Sequence, residues 1–362
     1  MIFENNFSKV LVTGGAGFIG SALVRKLLDF KNCNILNIDK YGYASDLTSI
    51  QNKISHFKNI KHDKYKFSKI DLCDLNCTQK IINNFQPDII FNLAAETHVD
   101  RSIDGPLSFI NNNIIGTYNL LDSSLKYWNL LNSEKKKSFR LIHISTDEVF
   151  GSLGSDNKFN ENSPYLPNSP YSASKASSDF LVKAWNKTYD LPTITTNCSN
   201  NYGPWQYPEK LIPNTIIKAC SKQNIPVYGK GNNIRDWLFV DDHIDALLMV
   251  AENGKIGSNY CIGGECEKSN IDVVNKICLI ITELQQNNED YSKLITFVKD
   301  RPGHDFRYSV DTSKIKKELN WSPKSNFDNY LEITVEWYLK NLKWCDAMFR
   351  KSNFNGKRLG LI

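Results

Sequence analysis

The stretch Lys9-Val-Leu-Val-Thr-Gly-Gly-Ala-Gly-Phe-Ile-Gly20 carries the strongest fold signal in this chain. Its first five residues have the pattern of a short, mainly apolar strand, and glycines then stand at positions 14, 17 and 20. Apolar residues continue at helical spacing to Leu28, and residues 34–39 have the pattern of a second strand. A strand, a glycine turn, a helix and a strand within about 30 residues predict a βαβ unit.

Strand patterns and helical patterns continue to alternate after this unit. Residues 88–93 and 140–145 have the composition of buried strands, whereas residues 107–131 and 171–189 have helical periodicity. This alternation predicts an α/β fold with a Rossmann-type, doubly wound parallel sheet. After about residue 195, loop-forming stretches become frequent, which predicts a smaller mixed α/β C-terminal domain.

The composition excludes several classes of protein. The 362 residues are 41% hydrophobic and 23% charged, a balance typical of globular proteins. The formal net charge is +5 and the densest basic run, Lys135–Lys137, is short, so no nucleic-acid partner is expected. The nine cysteines include no Cys-x-x-Cys pair, which indicates reduced thiols and no zinc site. With neither a leader pattern nor an apolar run of about 20 residues, we expect a cytoplasmic protein with no membrane partner.

The glycine turn has the pattern of a dinucleotide site. Glycines at 14, 17 and 20 allow a sharp turn, a close approach to a pyrophosphate and close packing of the helix on the strand. The helix N-terminus adds unpaired N–H groups that attract phosphate. Asp39 ends the second strand, where a carboxylate binds ribose hydroxyls, repels a 2′-phosphate and favours NAD over NADP. The alternative for Asp39 is a solvated strand end. Two further strand ends, Asp71-Leu72 and Asn92–Thr97, fit the same cofactor.

A hydroxyl, a phenol and an amine follow in an order that suits hydride transfer. Tyr171 and Lys175 are four residues apart, so a helix presents them on one face. An ammonium group near the phenol favours the phenolate, which lets Tyr171 act as a base. The preceding strand pattern ends at Thr146, directly before Asp147 and Glu148. Hydride transfer alone needs no such carboxylates, which indicates a site that also removes water. The alternative is a strand-end cap beside a solvated loop.

Motifs of one known enzyme family run through nearly the full length of the chain: Thr13–Gly20, Ala94–Ser102, His143–Val149, Pro170–Lys175, Asn197–Pro204, Pro208–Pro213, Arg235–Trp237 and Asp300–Asp305. On these motifs the chain resembles the extended short-chain dehydrogenase/reductase family and, within it, the dTDP-glucose 4,6-dehydratases. The last five motifs reach beyond a generic cofactor domain, so the resemblance to this subfamily is specific.

The resemblance implies a lyase that dehydrates dTDP-glucose to dTDP-4-keto-6-deoxyglucose with NAD as its cofactor. Tyr171 takes the proton of the 4-hydroxyl while NAD⁺ takes the C4 hydride, and Thr146 hydrogen-bonds that oxygen. Glu148 then removes the C5 proton and Asp147 protonates the leaving 6-hydroxyl, for which the pKa of Asp147 must be raised. The hydride returns to C6 and Glu148 returns a proton to C5. Lys175 completes the expected catalytic set.

By the same resemblance, two groups of residues surround the reacting atoms, and no metal ligands are expected. The expected NAD contacts are Gly14, Gly17, Phe18, Ile19, Gly20, Asp39, Lys40, Asp71, Leu72, Leu93, Ala94, Ala95, Thr97, Asn112, Tyr171, Lys175 and Asn201. The expected nucleotide-sugar contacts are Thr97, Thr146, Asp147, Glu148, Asn200, Lys210, Leu211, Pro226, Val227, Tyr228, Arg235, Asn270, Arg301 and His304. For Leu211, Pro226 and Val227, a place in the apolar core is an equal alternative.

The resemblance also sets the expected domains and assembly. Residues 1–195 are expected to form an NAD-binding domain to which some later segments return, and residues 196–362 mainly a sugar-nucleotide-binding domain. A homodimer is expected to pack through the helices at 107–131 and 171–189. After its cofactor aspartate the chain reads Tyr41-Gly-Tyr-Ala-Ser-Asp46, which departs from the family's usual sequence around the adenosine half of the site.

Other functions remain open from the sequence alone. One alternative is a UDP-glucose 4,6-dehydratase, because UDP-glucose differs from dTDP-glucose only in one methyl group and the 2′-hydroxyl. A 4-epimerase or a decarboxylating enzyme of the same superfamily is a second alternative, although an epimerase needs no acid–base pair at residues 147–148. A non-catalytic NAD-binding regulator or scaffold is a third, and it would not need intact Thr146, Tyr171 and Lys175.

Overall fold

The computed structural model describes residues 3–56 and 64–352 of the chain. Its strands are β1 Lys9–Thr13, β2 Asn34–Asp39, β3 Tyr65–Lys69, β4 Ile89–Asn92, β5 Arg140–Thr146, β6 Thr193–Cys198, β7 Asn200–Tyr202, β8 Ile225–Tyr228, β9 Ile234–Phe239, β10 Asn259–Ile262, β11 Glu267–Ser269 and β12 Ile295–Val298. Its α-helices are α1 Phe3–Asn6, α2 Phe18–Leu27, α3 Thr48–His56, α4 Leu75–Phe85, α5 Val99–Asp104, α6 Pro106–Phe109, α7 Gly116–Asn129, α8 Ser133–Ser138, α9 Pro170–Tyr189, α10 Leu211–Cys220, α11 Val240–Asn253, α12 Asn270–Gln285, α13 Ser313–Leu319, α14 Phe327–Lys340 and α15 Leu342–Ser352. A π-helix, Ile110–Ile115, joins α6 to α7, and Asp147–Phe150 and Tyr291–Leu294 are 3-10 helices.

Seven parallel strands form the central sheet, in the order β10-β6-β5-β4-β1-β2-β3. Helices cover both faces, so the inner strands are buried on both sides and read as continuous apolar runs such as Val10-Leu-Val12. The strand order reverses between β1 and β4, where the following loops diverge and leave a crevice at the carboxyl edge of the sheet. The predicted Rossmann-type sheet is confirmed.

The chain after residue 196 contributes to more than one layer. Strand β10 pairs with β6 in parallel and forms an edge of the central sheet. Strands β7, β9 and β11 form a mixed three-stranded sheet, and β8 pairs with β12. Helices α10, α12 and α14 pack around a second apolar core that includes Ile216, Val274 and Leu331. The predicted mixed α/β C-terminal region is therefore present.

Helix α9 carries functional side chains on a buried face. It begins with a capping box, in which Ser169 Oγ accepts from the Ser172 backbone N–H and Ser172 Oγ accepts from the Ser169 backbone N–H, both at 3.0 Å. Tyr171, Lys175 and Asp179 follow at intervals of four residues and are all buried. The helix predicted at 171–189 is observed at 170–189, so the predicted phenol–amine pair shares one helix face.

The helix predicted at 107–131 is observed as three consecutive segments, α6, the π-helix and α7. The wider π turn lets the buried side chain of Asn113 bind outside the helix. Its amide nitrogen donates to the Glu96 carbonyl at 3.0 Å and to Ser174 Oγ at 2.8 Å, and its oxygen accepts from the Glu96 N–H at 2.8 Å. Apolar periodicity does not distinguish such a π turn from regular α-helix. Across residues 3–56 and 64–352, no helix has the length and apolar character that a membrane span requires.

Candidate active site

A cavity of about 310 Å³ opens at the carboxyl edge of the central sheet. Most residues that the sequence predicts for the site line this cavity: Gly14, Gly17, Phe18, Ile19, Gly20, Asp39, Lys40, Asp71, Leu72, Leu93, Ala94, Ala95, Thr97, Asn112, Thr146, Asp147, Glu148, Tyr171, Lys175, Asn200, Asn201 and Lys210. Eight predicted substrate contacts lie outside its lining: Leu211, Pro226, Val227, Tyr228, Arg235, Asn270, Arg301 and His304.

The glycine turn forms one end of the cavity. Gly14 has φ +70°, and a Cβ there would lie 2.6 Å from the Ala94 backbone nitrogen. A Cβ on Gly20 would lie 2.2 Å from the Gly14 carbonyl oxygen, so helix α2 can approach the strand only with glycine at this position. A Cβ on Gly17 would contact only the Gly14 carbonyl, at 3.3 Å, and no side chain caps the N-terminus of α2. The first turn of α2 therefore keeps N–H groups for an anionic ligand.

Asp39 is held rigidly at the end of β2. Its Oδ2 accepts from the Ala16 N–H at 3.1 Å, and its Oδ1 accepts from the Tyr41 N–H at 2.7 Å and from Ser45 Oγ at 2.9 Å. These bonds tie the carboxylate to the glycine turn and to the loop 41–46. Asp39 is thus more than a solvated strand end, because it is buried and fixed on the cavity wall.

The catalytic candidates meet where β5 ends beside α9. Lys175 Nζ donates to the Ile144 carbonyl at 2.9 Å, which fixes the amine against the strand. At the strand end, Thr146 Oγ1 donates to Asp147 Oδ1 at 3.2 Å and accepts from the Glu148 N–H at 3.3 Å. The structure therefore brings a hydroxyl, a phenol, an amine and two carboxyls to one wall of the cavity.

Burial raises the pKa of both carboxyls. The pKa of Asp147 lies well above its ordinary value because of burial first, and then because of the charges of Glu148 and Asp236. Burial also raises the pKa of Glu148, but the cations Arg301, Arg235 and Lys210 act in the opposite direction. The two neighbours thus sit in different electrostatic surroundings, as an acid–base pair requires.

The phenol and the amine are also shifted by burial. The pKa of Tyr171 is well above its ordinary value, because burial and then the charge of Glu148 disfavour the phenolate, while a hydrogen bond with Thr146 opposes this effect. Burial lowers the pKa of Lys175, and the charge of Asp179 opposes that shift. The sequence predicts that the Lys175 ammonium favours the phenolate of Tyr171. Burial has the larger effect on the pKa of Tyr171, so the phenol keeps its proton.

Predicted cationic and aromatic residues form a layer outside the cavity lining. Arg301 donates to Asp100 Oδ1 at 2.8 Å, and the Tyr228 hydroxyl donates to Asp100 Oδ2 at 2.7 Å. Arg235 donates to backbone carbonyls at 305 and 306 and stacks on the Tyr308 ring at 4.3 Å. Both guanidinium groups oppose the raised pKa of Glu148, which places their charge next to the site.

Four further predicted substrate contacts, Leu211, Pro226, Val227 and Asn270, also lie outside the cavity lining. Val227 is buried in the second apolar core and Leu211 packs against it. Pro226 is half-buried on β8, and the backbone N–H of Asn270 donates to the Asn233 carbonyl at 2.9 Å. In this structure the apolar alternative describes Leu211 and Val227.

Two histidines, neither of them an expected metal ligand, lie within hydrogen-bond distance of neighbouring groups. His98 Nδ1 accepts from the Arg101 N–H at 3.3 Å and caps helix α5, and His304 Nδ1 lies 2.6 Å from Asp300 Oδ1. Within the described part of the chain, no group of three or more histidine, cysteine and acidic side chains could hold a metal ion.

A network that the sequence did not predict closes one side of the cavity. The Tyr43 hydroxyl donates to Glu209 Oε1 at 2.9 Å, and Arg101 donates to Glu209 Oε2 at 3.0 Å while its guanidinium stacks on the Tyr43 ring at 3.9 Å. Tyr43 and Glu209 both line the cavity. The unusual sequence of the loop 41–46 was the available signal, but Tyr43 and Glu209 are 166 positions apart and no local pattern pairs them.

The chain is similar over nearly its full length to proteins named as dehydratases. A profile of the family described as GDP-mannose 4,6 dehydratase matches residues 11–334. A protein of Sinorhizobium fredii named "Probable dTDP-glucose 4,6-dehydratase" is 50% identical over 354 residues, which cover 98% of this chain and 99% of that protein.

Solved structures give the same relationship. The crystal structure of dTDP-glucose 4,6-dehydratase from Bacillus anthracis, in complex with NAD, is 40% identical, with a TM-score of 0.80 over 94% of this chain and 99% of that one. The dTDP-glucose 4,6-dehydratase of Streptomyces venezuelae, also with NAD bound, is 36% identical, with a TM-score of 0.83 and the same coverage.

Proposed function

Because this chain belongs to the GDP-mannose 4,6-dehydratase family and, within it, to the dTDP-glucose 4,6-dehydratases, we propose that it converts dTDP-glucose to dTDP-4-keto-6-deoxyglucose. The observation that carries the proposal is a pair of carboxyls, the buried Asp147 and the half-buried Glu148, in a cavity shared with Thr146, Tyr171 and Lys175. Hydride transfer needs only the last three residues. A dehydration also needs an acid for the leaving hydroxyl and a base for the neighbouring proton.

NAD is the proposed cofactor, and the cavity has features that suit it. Gly17 and the uncapped first turn of α2 suit a pyrophosphate, and the fixed carboxylate of Asp39 suits ribose hydroxyls. Ser145 Oγ and Asn200 Oδ1 are buried on the cavity wall and have no hydrogen-bond partner among the described residues, so they are free to bind a ligand. When bound, NAD supplies a hydride acceptor that takes the C4 hydride and returns it to C6.

Tyr171 is the proposed base for the 4-hydroxyl of the sugar. Burial raises its pKa, so a positive charge beside the phenol is needed before Tyr171 can accept a proton. The Lys175 ammonium, fixed by the Ile144 carbonyl, and the positive charge of an oxidised cofactor supply that charge. Thr146, which lines the same cavity, is the proposed hydrogen-bond partner of the reacting oxygen.

Asp147 and Glu148 are the proposed acid and base of the water-removing step. The raised pKa of Asp147 keeps a proton available for the departing 6-hydroxyl, and Asp147 Oδ2 has no hydrogen-bond partner among the described residues. The cations around Glu148 favour its ionised form, which suits removal of the C5 proton and its later return. The leaving oxygen departs as water, and the sugar gains a C5–C6 double bond until the hydride returns.

The direct test is turnover of dTDP-glucose by purified protein. We expect 4-keto-6-deoxy sugar to accumulate without net consumption of added NAD⁺, since the hydride returns to the sugar. Product is followed by mass spectrometry and NADH by absorbance, with UDP-glucose and CDP-glucose assayed in parallel. Stable NADH without a ketosugar, or turnover of UDP-glucose alone, would contradict the proposal.

Glu148→Gln separates the two halves of the reaction. Without the C5 base we expect C4 oxidation to continue and dehydration to slow by about 10²–10⁴-fold, so NADH persists in a single turnover. Glu283→Gln, an exposed substitution on α12, is the matched control and keeps wild-type turnover. Normal product formation by Glu148→Gln would remove Glu148 from this role.

A homodimer is the proposed assembly. Large apolar side chains are exposed on the helices expected to pair: Leu107, Ile110, Ile115, Tyr118, Phe180 and Tyr189. Helices α7 and α9 lie side by side, with the Tyr118 and Trp185 rings 5.8 Å apart. Apolar surface of this kind on adjacent helices is typical of protein–protein contacts.

A further inference from the structure

A chain of buried polar side chains crosses the central sheet beneath the cavity, and the proposed reaction gives it no role. Thr13 Oγ1 donates to Asn92 Oδ1 at 2.7 Å, so the amide nitrogen of Asn92 faces His143 Nδ1, 3.0 Å away. His143 Nδ1 must then accept, and its Nε2 carries the proton. That nitrogen lies 3.2 Å from Asp179 Oδ1. The hydrogen bonds therefore run in one direction from β1 to β5, and the protonated Nε2 of His143 then faces the carboxylate on α9 without meeting hydrogen-bond geometry.

The other oxygen of Asp179 connects this chain to the catalytic strand end. Asp179 Oδ2 accepts from the Tyr165 hydroxyl at 2.9 Å and from Asn197 Nδ2 at 3.3 Å. The same Asn197 nitrogen donates to the Thr146 carbonyl at 3.0 Å. Asp179 is only 4% exposed, and a carboxylate so far from solvent is tolerated only when donors and an opposite charge surround it.

Lys175 supplies a positive charge that interacts with the Asp179 carboxylate. It lies one helical turn before Asp179 on the same buried face, and its ammonium group donates to a neutral acceptor, the Ile144 carbonyl. Asp179 opposes the effect of burial on the pKa of Lys175. The two groups form no direct ion pair, but on one buried helix face the charge of each stabilises the charge of the other.

The other titratable groups around the pair do not supply a negative charge. The pKa of Cys198, on β6, is raised to about 12, chiefly by burial, so it is a neutral thiol. The pKa of His143, on β5, is lowered by burial and then by Lys175, so it is a neutral imidazole. The pKa of Tyr165, before α9, is raised by burial and by Asp179, so it is a neutral phenol.

We propose that Asp179 is a positioning residue for the reaction: it balances the buried charge of Lys175 and, through His143 and Asn197, holds the end of β5 that carries Thr146. Asp179 acts through these neighbours and does not line the cavity. The kinetic part of its test rests on the proposed function, and the stability part is independent of it.

The kinetic test uses Asp179→Asn with Asp190→Asn as the control, since Asp190 is an exposed carboxylate at the end of the same helix. For Asp179→Asn we expect kcat with dTDP-glucose to fall roughly tenfold or more while KM changes less than about twofold. Loss of the carboxylate lowers the pKa of Lys175, so the alkaline limb of the kcat–pH profile moves to lower pH. Asp179→Glu should move that limb back towards its wild-type position.

The stability test is a double-mutant cycle with Lys175→Met, read as melting temperature without substrate. Each single variant leaves one buried group without its opposite charge, so each should melt at a lower temperature than wild type. The double variant should lose less melting temperature than the two single losses added together. If Asp179→Asn alone does not fold, recovery of a cooperative melt in the double variant supports the proposal.

Three results would overturn the assignment of Asp179. These are a folded Asp179→Asn protein with wild-type kcat and pH profile, additive melting losses in the cycle, and a double variant that fails to recover folding. Absence of dehydratase activity in the wild type would instead overturn the proposed function and leave the melting cycle decisive for Asp179.

Discussion

Asp147 lies in a fully buried position at the end of β5, with Glu148 beside it and Asp236 nearby in the structure. Each of these surroundings favours the protonated carboxyl, so the fold keeps an acid where substrate is expected. The same arrangement is unfavourable for folding once Asp147 must ionise, because Arg235 and Thr146 only partly offset the effects of burial and of the neighbouring carboxylates on its pKa. A group with a proposed catalytic role is thereby retained at the expense of stability.

Asp147→Asn should therefore stabilise the protein at alkaline pH while it slows dehydration. The pKa of Asp147 is raised on folding, so between the unfolded value, about 3.9, and the folded value the folded state holds the extra proton. Stability contributed by Asp147 thus falls as pH rises through this range. We expect the melting temperature of Asp147→Asn to exceed that of wild type by a margin that grows from pH 5 to pH 8, with dehydration about 10²–10⁴-fold slower.

Asp74→Asn is the matched control for this comparison. Asp74 caps helix α4, and hydrogen bonds with Cys77 lower its pKa, so its removal should give no gain at alkaline pH. Asparagine caps helices about as well as aspartate, which limits other effects. Equal pH dependence of melting for wild type and Asp147→Asn would contradict the burial argument.

At the residue scale, local spacing predicts part of the cavity wall and long-range contacts build the rest. The four-residue spacing of Tyr171 and Lys175 and their order after Thr146 were readable because a helix face and a strand end are local features. The positions of Arg301 and Tyr228 depend on Asp100, which holds both and lies on a different element. Sequence spacing contains no information about such a shared partner.

At the element scale, the loop 41–46 is held by α15, the last helix that the structure describes. Asp46 Oδ2 accepts from the indole N–H of Trp344, on α15, at 3.1 Å. Lys351, also on α15, donates to the Ser45 carbonyl, and its ammonium lies 3.8 Å from the centre of the Tyr41 ring. Because Ser45 hydrogen-bonds Asp39, these contacts support the carboxylate proposed to bind the cofactor ribose.

Trp344→Phe should loosen this loop and speed the loss of NAD. The substitution keeps an aromatic ring next to Trp205 and removes one hydrogen bond to Asp46, a loss of about 1 kcal/mol. We expect dissociation of NAD to be roughly fivefold faster. The measurement is the NAD retained by purified protein after dialysis against a NAD scavenger, followed over time.

Trp128→Phe provides the control, since the Trp128 indole donates to the Lys136 carbonyl at 3.2 Å, away from the cavity lining. It should retain NAD as wild type does. Identical NAD loss from Trp344→Phe and wild type would show that α15 does not govern this loop.

The elements themselves were predicted well where periodicity is strong and poorly where tertiary contacts decide. The βαβ unit and helix α9 follow from apolar spacing and end signals. The π-helix between α6 and α7 does not, because it is stabilised by Asn113 bonding Glu96 and Ser174 across elements. Likewise, β10 is only four residues long, and its place beside β6 follows from the assembled sheet.

At the scale of the whole molecule, the proposed dimer predicts a clear effect of charge on α9. Phe180 is 56% exposed on that helix, so Phe180→Glu would bury an unpaired carboxylate at a helical interface. We expect wild type to sediment as a dimer of 41.4 kDa chains and Phe180→Glu to shift towards the monomer at micromolar concentration.

Leu279→Glu serves as the control, because Leu279 is 51% exposed on α12, outside the proposed interface. It should sediment as wild type does. A monomeric wild type, or a Phe180→Glu protein with unchanged sedimentation, would argue against a dimer through these helices.

The bond between Asp46 and Trp344 joins residues 298 positions apart, which has a consequence during synthesis. The glycine turn and Asp39 leave the ribosome early, and N-terminal segments generally fold first. The loop 41–46, which supports Asp39, nevertheless lacks its contacts with Trp344 and Lys351 until α15 has been translated. We therefore expect a nascent chain, or one terminated before α15, to carry the dinucleotide motif without these supporting contacts and to release NAD faster than a chain that includes α15.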